Sequence, residues 1–219
     1  MLWRSNIDMK ILITGGTGMV GSAFKDIDTK HNLVLIGSSE QDLTDYQSAF
    51  SAINEHNPDA VIHLAARVGG VKGNSDYVAD FYSDNIRINT NVLLAAHSLG
   101  VGKVLSLLST CIYPDNAIYP LTEEQIHNGA PHQSNFGYAY AKRMLEVQSR
   151  AYRQQYGSNF ITAVPNNLFG EHDNFDLENG HVIPAIIRKV YEAKQSGSDI
   201  ILWGDGTPLR EFTYSKDLA

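Results

Sequence analysis

The chain has 219 residues, of which 43% are hydrophobic and 19% charged, with a formal net charge of -7. That length supports one sizeable α/β domain with its own core, or one domain and part of another. The acidic balance and the lack of a dense Lys/Arg stripe argue against a nucleic-acid or anionic-membrane partner. A single cysteine, Cys111, rules out an intrachain disulfide and points to a reducing, cytoplasmic home. No apolar run is long enough to span a bilayer. Residues 1–8 lack the apolar region of a signal peptide and read as an N-terminal extension.

The first element is a buried parallel strand, Met9 to Thr14, that stops at glycines. A helix from Gly18 to about Asp28 follows, then a strand over 33–36. Asp45 caps a helix that runs to His56, with Tyr46, Ala49, Phe50 and Ile53 at helical spacing. Residues 60–65 form a third strand. A long helix spans Tyr77 to Leu99 and ends before Gly100. Residues 103–109 make a fourth strand, Gly137 to Tyr156 a helix ended by Gly157, and 160–164 a fifth strand stopped by Pro165. Strands alternating with helices imply parallel βαβ units and a doubly wound, Rossmann-type sheet.

After Gly170 the texture changes. A polar loop leads to a helix over 182–195, then to short strands over 200–203 and 211–214 around a Gly-Asp-Gly turn. The last residues read as the first turn of a helix capped by Ser215, so the chain reads as C-terminally incomplete. The expected organisation is a cofactor domain over 9–170 and part of a smaller substrate lobe over 171–219.

The loop Gly15-Gly16-Thr17-Gly18-Met19-Val20-Gly21 sits between a strand and a helix, the setting a dinucleotide-binding loop requires. Gly15 permits the tight turn, Gly18 lets backbone approach a pyrophosphate, and Gly21 lets the helix pack against the sheet. The alternative is a plain strand-to-helix turn. At the end of the second strand an acid would bind the ribose 2′-hydroxyl of NAD. Gly37-Ser38-Ser39 stands there instead, which favours NADP unless these are ordinary loop residues. Ala65 and Ala66 close the third strand with side chains small enough for a dinucleotide to lie across. His63 beside them reads as a satisfied core histidine.

Tyr138 and Lys142 are four residues apart, so on a helix both lie on one face. An ammonium that close favours phenolate and lowers the tyrosine pKa, as proton transfer to a carbonyl oxygen requires. Ser109 and Cys111 end the fourth strand and in extended backbone point to the same side, toward the crevice where doubly wound sheets bind ligands. Ser109 can hydrogen-bond a substrate carbonyl. Cys111 is either a proton acceptor or a buried inert thiol. His181 opens a helix as a surface, capping or catalytic group. Lys189 and Arg210 are phosphate partners or solvated cations, and Trp203 is by default core.

Taken together, these motifs resemble the extended short-chain dehydrogenase/reductases and, within them, the GDP-L-fucose synthase family. The resemblance is carried by the glycine loop, His63-Leu64-Ala65-Ala66-Arg67-Val68-Gly69-Gly70 and Ser109-Thr110-Cys111-Ile112-Tyr113-Pro114. It continues through Asn135 to Arg143, His172-Asp173-Asn174-Phe175, His181-Val182-Ile183-Pro184 and Trp203 to Phe212. Asn166 and Glu171 depart from the family pattern of Thr and Pro.

The resemblance implies an enzyme that inverts C3 and C5 of GDP-4-keto-6-deoxy-D-mannose and reduces C4 with NADPH to give GDP-L-fucose. It implies Cys111 as base and His181 as acid in the inversion, and Tyr138 as proton donor in the reduction, assisted by Ser109 and Lys142. It puts Gly15 to Gly21, Ser38, Ser39, Ala65, Ala66, Lys142, Pro165, Asn167, Leu168 and His181 at NADP(H). Lys189, Trp203 and Arg210 fall at the GDP-sugar, and no metal is expected. It further implies a homodimer built from the 77–99 and 137–156 helices, and a chain that continues past residue 219. Two alternatives share the core motifs: another nucleotide-sugar epimerase or dehydratase, and a truncated, non-catalytic NADP-binding homologue.

Overall fold

The structure is a computed structural model that describes residues 8–177, 180–202, 204–207 and 209–219, without the side chain of Val71. Five parallel strands form one sheet: β1 (Lys10–Thr14), β2 (Asn32–Ile36), β3 (Ala60–His63), β4 (Lys103–Leu107) and β5 (Phe160–Ala163). Their order is β2-β1-β3-β4-β5, so the winding reverses between β1 and β3. Thr14 sits level with His63, and His63 with Ser106, at the carboxyl edge of the sheet. Ligands of open α/β sheets bind at such a reversal, outside the carboxyl ends of the strands.

Helices flank the sheet. They are α1 (Met19–Ala23), α2 (Tyr46–His56), α3 (Val71–Asp76), α4 (Val78–Ser98) and α5 (Phe136–Tyr156). Asp45 caps α2 as expected, its Oδ1 accepting from the Ser48 amide at 2.8 Å. Along α4 and α5 the apolar residues recur at helical spacing, which buries Val92, Leu93 and Leu145 against Leu12, Val61, Val104 and Phe160. Gly137 lets the start of α5 touch the start of α4, because a Cβ there would lie 2.7 Å from the Val78 carbonyl oxygen.

Several elements differ from the sequence reading. The first helix stops at Ala23 and passes into a 3₁₀ turn over Phe24–Asp26, since Asp26, Asp28 and Thr29 are weak helix formers. A short helix, α3, fills a stretch that carried no expectation. The chain over 200–202 is not a strand; the Ile201 carbonyl accepts instead from Lys189 Nζ at 2.8 Å.

A second, two-stranded parallel sheet pairs β6 (Asn167–Phe169) with β7 (Phe212–Tyr214). Between them α6 (Val182–Ser196) runs to Gly197, and α7 (Ser215–Leu218) follows β7. Ser215 is not the cap of α7 but its first residue, with Tyr214 in the cap position. Ser215 is buried against Gly170, where a Cβ would sit 2.1 Å from its hydroxyl. Among the described residues no helix is long and apolar enough to cross a membrane.

Candidate active site

The glycine loop follows β1 at the reversal point. Gly15 takes φ +71, and a Cβ there would meet the Ala65 amide nitrogen at 2.8 Å, so the loop lies against the end of β3. A Cβ on Gly16 would meet Leu35 and Ile36 at 2.6 and 2.9 Å. Gly21 serves the loop rather than the sheet, contrary to expectation: a Cβ there would be 2.3 Å from the Gly15 carbonyl oxygen and 2.5 Å from Gly16 Cα.

Gly18 differs from these three. Its amide donates to the Gly15 carbonyl at 3.0 Å, it is exposed, and an added Cβ would meet only that carbonyl, at 3.4 Å. Its missing side chain therefore answers to no neighbour within the protein, as a backbone kept clear for a phosphate requires. Thr17 is exposed beside it, while Met19 and Val20 are partly buried.

Ser38 and Ser39 are exposed past β2. A carboxylate does reach this strand end, from a residue the sequence reading passed over: Glu40 Oε2 accepts from the Gly37 amide at 2.8 Å. Ala65 donates its amide to Thr14 Oγ1 at 3.4 Å, with Ala66 next to it. Pro165 leads into β6, which carries Asn167 and Leu168. Asn167 Nδ2 donates to the Glu211 carbonyl at 3.0 Å, and Asn166 accepts from Thr213 Oγ1 at 2.6 Å. The Asn166 departure thus forms part of the seam of the second sheet.

Tyr138, Lys142, Ser109 and Cys111 come together at the end of β4. The register argument for Ser109 and Cys111 fails, because β4 ends at Leu107 and residues 110–112 form a 3₁₀ turn. Ser109 caps that turn, its Oγ accepting from the Cys111 amide at 3.5 Å; a serine side chain competes with a strand ladder in this way. Lys142 is buried, donates from Nζ to the Leu107 carbonyl at 2.9 Å, and lies 6.0 Å from the Tyr138 ring centroid.

The electrostatics are set first by burial. It lowers the Lys142 ammonium to about 8, opposed by the nearby Cys111. It raises the Cys111 thiol, against which the Ser109 hydroxyl and the Lys142 and Arg143 charges act. It also pushes the Tyr138 phenol up, with Cys111 adding to the rise, although the residue as a whole is only partly buried. The expected lowering of Tyr138 by Lys142 is therefore absent here: the ammonium is turned to the Leu107 carbonyl, and desolvation of the phenol prevails.

His63 is fully buried as expected, between Thr14 Oγ1 at 2.8 Å and Asn89 Oδ1 at 3.1 Å. His181 stands at the N-cap of α6 with its side chain half exposed, and Nδ1 is 3.8 Å from Asp173 Oδ1. The Asp173 side chain is nearly buried, and its other oxygen finds no partner among the described residues. No hydrogen bond or ion pair joins His181 to the Cys111 group among the described residues. Lys189 lines an open cleft of about 650 Å³ together with Lys72, Leu177 and Ile200. That cleft lies away from the reactive side chains, so the chemistry is placed by Ser109, Cys111, Tyr138 and Lys142 and not by cavity size. Arg210 is exposed and donates to its neighbour's carbonyl. Trp203 lies outside the described residues. Arg143 and Asp173 carried no role in the sequence reading, although both sit inside motifs that it quoted.

Comparison with known proteins agrees with this geometry. The chain is 47% identical over 214 residues to a GDP-L-fucose synthase of Dictyostelium discoideum, covering 95% of this chain and 67% of that protein. It is 42% identical to a probable GDP-L-fucose synthase of Drosophila melanogaster, over 96% of this chain and 69% of the relative. A crystal structure of a GDP-L-fucose synthetase from Naegleria fowleri bound to NADP superposes with a TM-score of 0.87 at 42% identity, covering 97% of this chain and 71% of the other. The chain thus spans about two thirds of the length of these relatives. Residues 11–219 match the model of the NAD dependent epimerase/dehydratase family, and with this sheet, this glycine loop and this Tyr-Lys pair the chain belongs to that family.

Proposed function

We propose that this chain carries the epimerase-reductase chemistry of GDP-L-fucose synthases: inversion of C3 and C5 of GDP-4-keto-6-deoxy-D-mannose, then reduction of C4 to give GDP-L-fucose. The observation that carries the reading is the gathering of Ser109, Cys111, Tyr138 and Lys142 at one strand end beside the glycine loop. A C4 ketone acidifies the protons on its neighbouring carbons. Cys111 as thiolate takes a proton from C3 or C5, leaving an enolate, and His181 returns one from the opposite face. Ser109 hydrogen-bonds the C4 oxygen as charge grows there. In the reduction Tyr138 gives that oxygen its proton.

The residues fit NADP(H): Gly18 leaves the backbone clear for the pyrophosphate, Ser38 and Ser39 carry no acid, and the Glu40 carboxylate at this strand end is engaged by the Gly37 amide. When bound, NADPH supplies the hydride for C4. Gly15, Gly16, Thr17, Met19, Val20 and Gly21 would form its phosphate loop, Ala65 and Ala66 would flank it after β3, Pro165, Asn167 and Leu168 would flank it after β5, and Lys142 would hold the nicotinamide ribose with His181 close by. Lys189, Trp203 and Arg210 hold the GDP group. In this reading residues 9–170 are the cofactor domain and 171–219 the substrate region.

The compartment is the cytoplasm. The assembly is a homodimer through α4 and α5, whose Tyr77, Tyr82, Leu94, Met144 and Tyr156 flank or lie on the paired helices with exposed apolar surface. Sedimentation of a single monomeric species would overturn the dimer.

The function is tested by supplying the purified chain with NADPH and GDP-4-keto-6-deoxy-D-mannose and identifying the sugar formed. GDP-L-fucose with stoichiometric NADPH consumption is expected. NADPH binding without turnover would favour the non-catalytic alternative.

A further inference from the structure

Lys142 and Arg143 are neighbours on α5, yet they reach opposite ends of one short segment. Lys142 Nζ holds the Leu107 carbonyl at 2.9 Å. Arg143 donates from Nε to the Ile112 carbonyl at 3.0 Å, and from Nη2 to the same oxygen. Its Nη1 holds the Gly129 carbonyl at 2.8 Å. Ser109 and Cys111 lie between the two gripped carbonyls.

Arg143 is only 4% exposed, and its guanidinium packs 5.2 Å from the Tyr140 ring centroid. Burying a cation is costly unless hydrogen bonds and charge compensate it. Its hydrogen bonds among the described residues run to neutral carbonyls, so its charge remains available to an anion nearby. A planar fork on a single carbonyl also fixes direction, which a lysine cannot reproduce.

We propose that Arg143 is a positioning residue for Cys111: its fork on the Ile112 carbonyl fixes where the thiol sits in the turn that Ser109 caps. The proposal rests on the reading of Cys111 as the base of the inversion. Burial of the site opposes the thiolate, the Ser109 hydroxyl and the Lys142 charge favour it, and the Arg143 charge adds a smaller contribution in the same direction. Tyr138 faces the same thiol, and a phenolate there would oppose it. A purely structural arginine, stapling the loop at Gly129 to the core, would leave the thiol's reactivity unchanged.

Cys111 is the sole cysteine, so alkylation by iodoacetamide reports on it alone. The test measures alkylation rate against pH in the parent chain, Arg143→Gln and Arg143→Lys, with NADPH affinity alongside. Solvent deuterium exchange into C3 and C5 of GDP-4-keto-6-deoxy-D-mannose is followed in the same proteins.

For Arg143→Gln the alkylation profile moves to higher pH and the rate at mildly alkaline pH falls at least about threefold. Exchange falls at least about tenfold and NADPH affinity stays within about twofold. Arg143→Lys keeps the charge and the profile of the parent but still loses exchange, because one ammonium cannot reproduce the fork. Alkylation profiles that superimpose in all three proteins, with unchanged exchange, overturn the proposal. Should Arg143→Gln fail to fold by circular dichroism, unchanged exchange in Arg143→Lys overturns it alone. Should the parent chain show no exchange, the alkylation profiles decide. Full exchange in Cys111→Ser would instead overturn the reading of Cys111 as base, and leave the alkylation result standing.

Discussion

The Thr14 hydroxyl and the His63 ring, 2.8 Å apart, join the last residues of β1 and β3 across the point where the sheet reverses. The other ring nitrogen meets Asn89 Oδ1 at 3.1 Å, and Asn89 Nδ2 reaches the Ala141 carbonyl at 3.3 Å, one residue before Lys142. A buried hydrogen-bonded chain thus runs from the strand that enters the glycine loop to the helix that carries Tyr138 and Lys142. His63→Leu stays close in volume but leaves the Thr14 and Asn89 groups without their partner in the core. It should cost about 2–4 kcal/mol of stability in urea unfolding.

The same histidine sets an acid limit. Burial first, and the Lys142 charge second, lower His63 to about 3 from an ordinary 6.5. Between those values the unfolded chain binds the proton and the folded chain does not, so stability falls as pH drops. The slope is at most about 1.4 kcal/mol per pH unit from this residue. Urea unfolding as a function of pH checks it, and His63→Gln should flatten the profile in that window.

The glycines of the loop should separate by experiment. Gly21→Ala drives a methyl into the Gly15 carbonyl oxygen, where a Cβ would sit at 2.3 Å. It should lose at least about 2 kcal/mol. Gly18→Ala has room within the protein, its nearest contact being 3.4 Å. It should keep the melting temperature yet weaken NADPH binding at least about tenfold, as read by fluorescence titration. Equal loss of stability in both variants would refute this division of roles.

Lys142 gives activity and stability opposite alkaline trends. Burial lowers it to about 8. Its charge, and any step that needs the charge, declines as pH rises through that value. Stability moves the other way: between about 8 and the ordinary 10.5 the unfolded chain binds more protons, so folding gains as pH rises. Reduction rates and urea midpoints over the same pH range check both signs. Lys142→Met should remove both trends. Tyr138→Phe should cut reduction at least about a hundredfold while C3 and C5 exchange continues.

Gly170 and Ser215 provide a mechanical test of the second sheet. A methyl at Gly170 would lie 2.1 Å from the Ser215 hydroxyl and 3.1 Å from its Cβ. Gly170→Ala should cost about 1–3 kcal/mol, and hydrogen exchange should quicken first in β6, β7 and α7. Gly170→Ala with Ser215→Gly should recover most of the loss, and an absence of recovery would count against this contact as the cause.

The sequence by itself determined what depends on near neighbours along the chain. Short apolar runs stopped by Gly or Pro marked the five strands, helical spacing marked the long helices, and Asp45 announced its own cap, because these signals are written within a few residues. The glycine loop and the Tyr138–Lys142 spacing were legible for the same reason. Only the tertiary structure decided what depends on distant neighbours. Ser109 and Cys111 were expected to share a strand face, and instead a capped turn held by Lys142 and Arg143 brings them together. The Tyr138 phenol was expected to be lowered by its lysine, and burial raises it. The β6–β7 pairing joins segments more than forty residues apart. Burial, pairing and desolvation are set by what packs against a residue, and no local pattern records which distant element that will be.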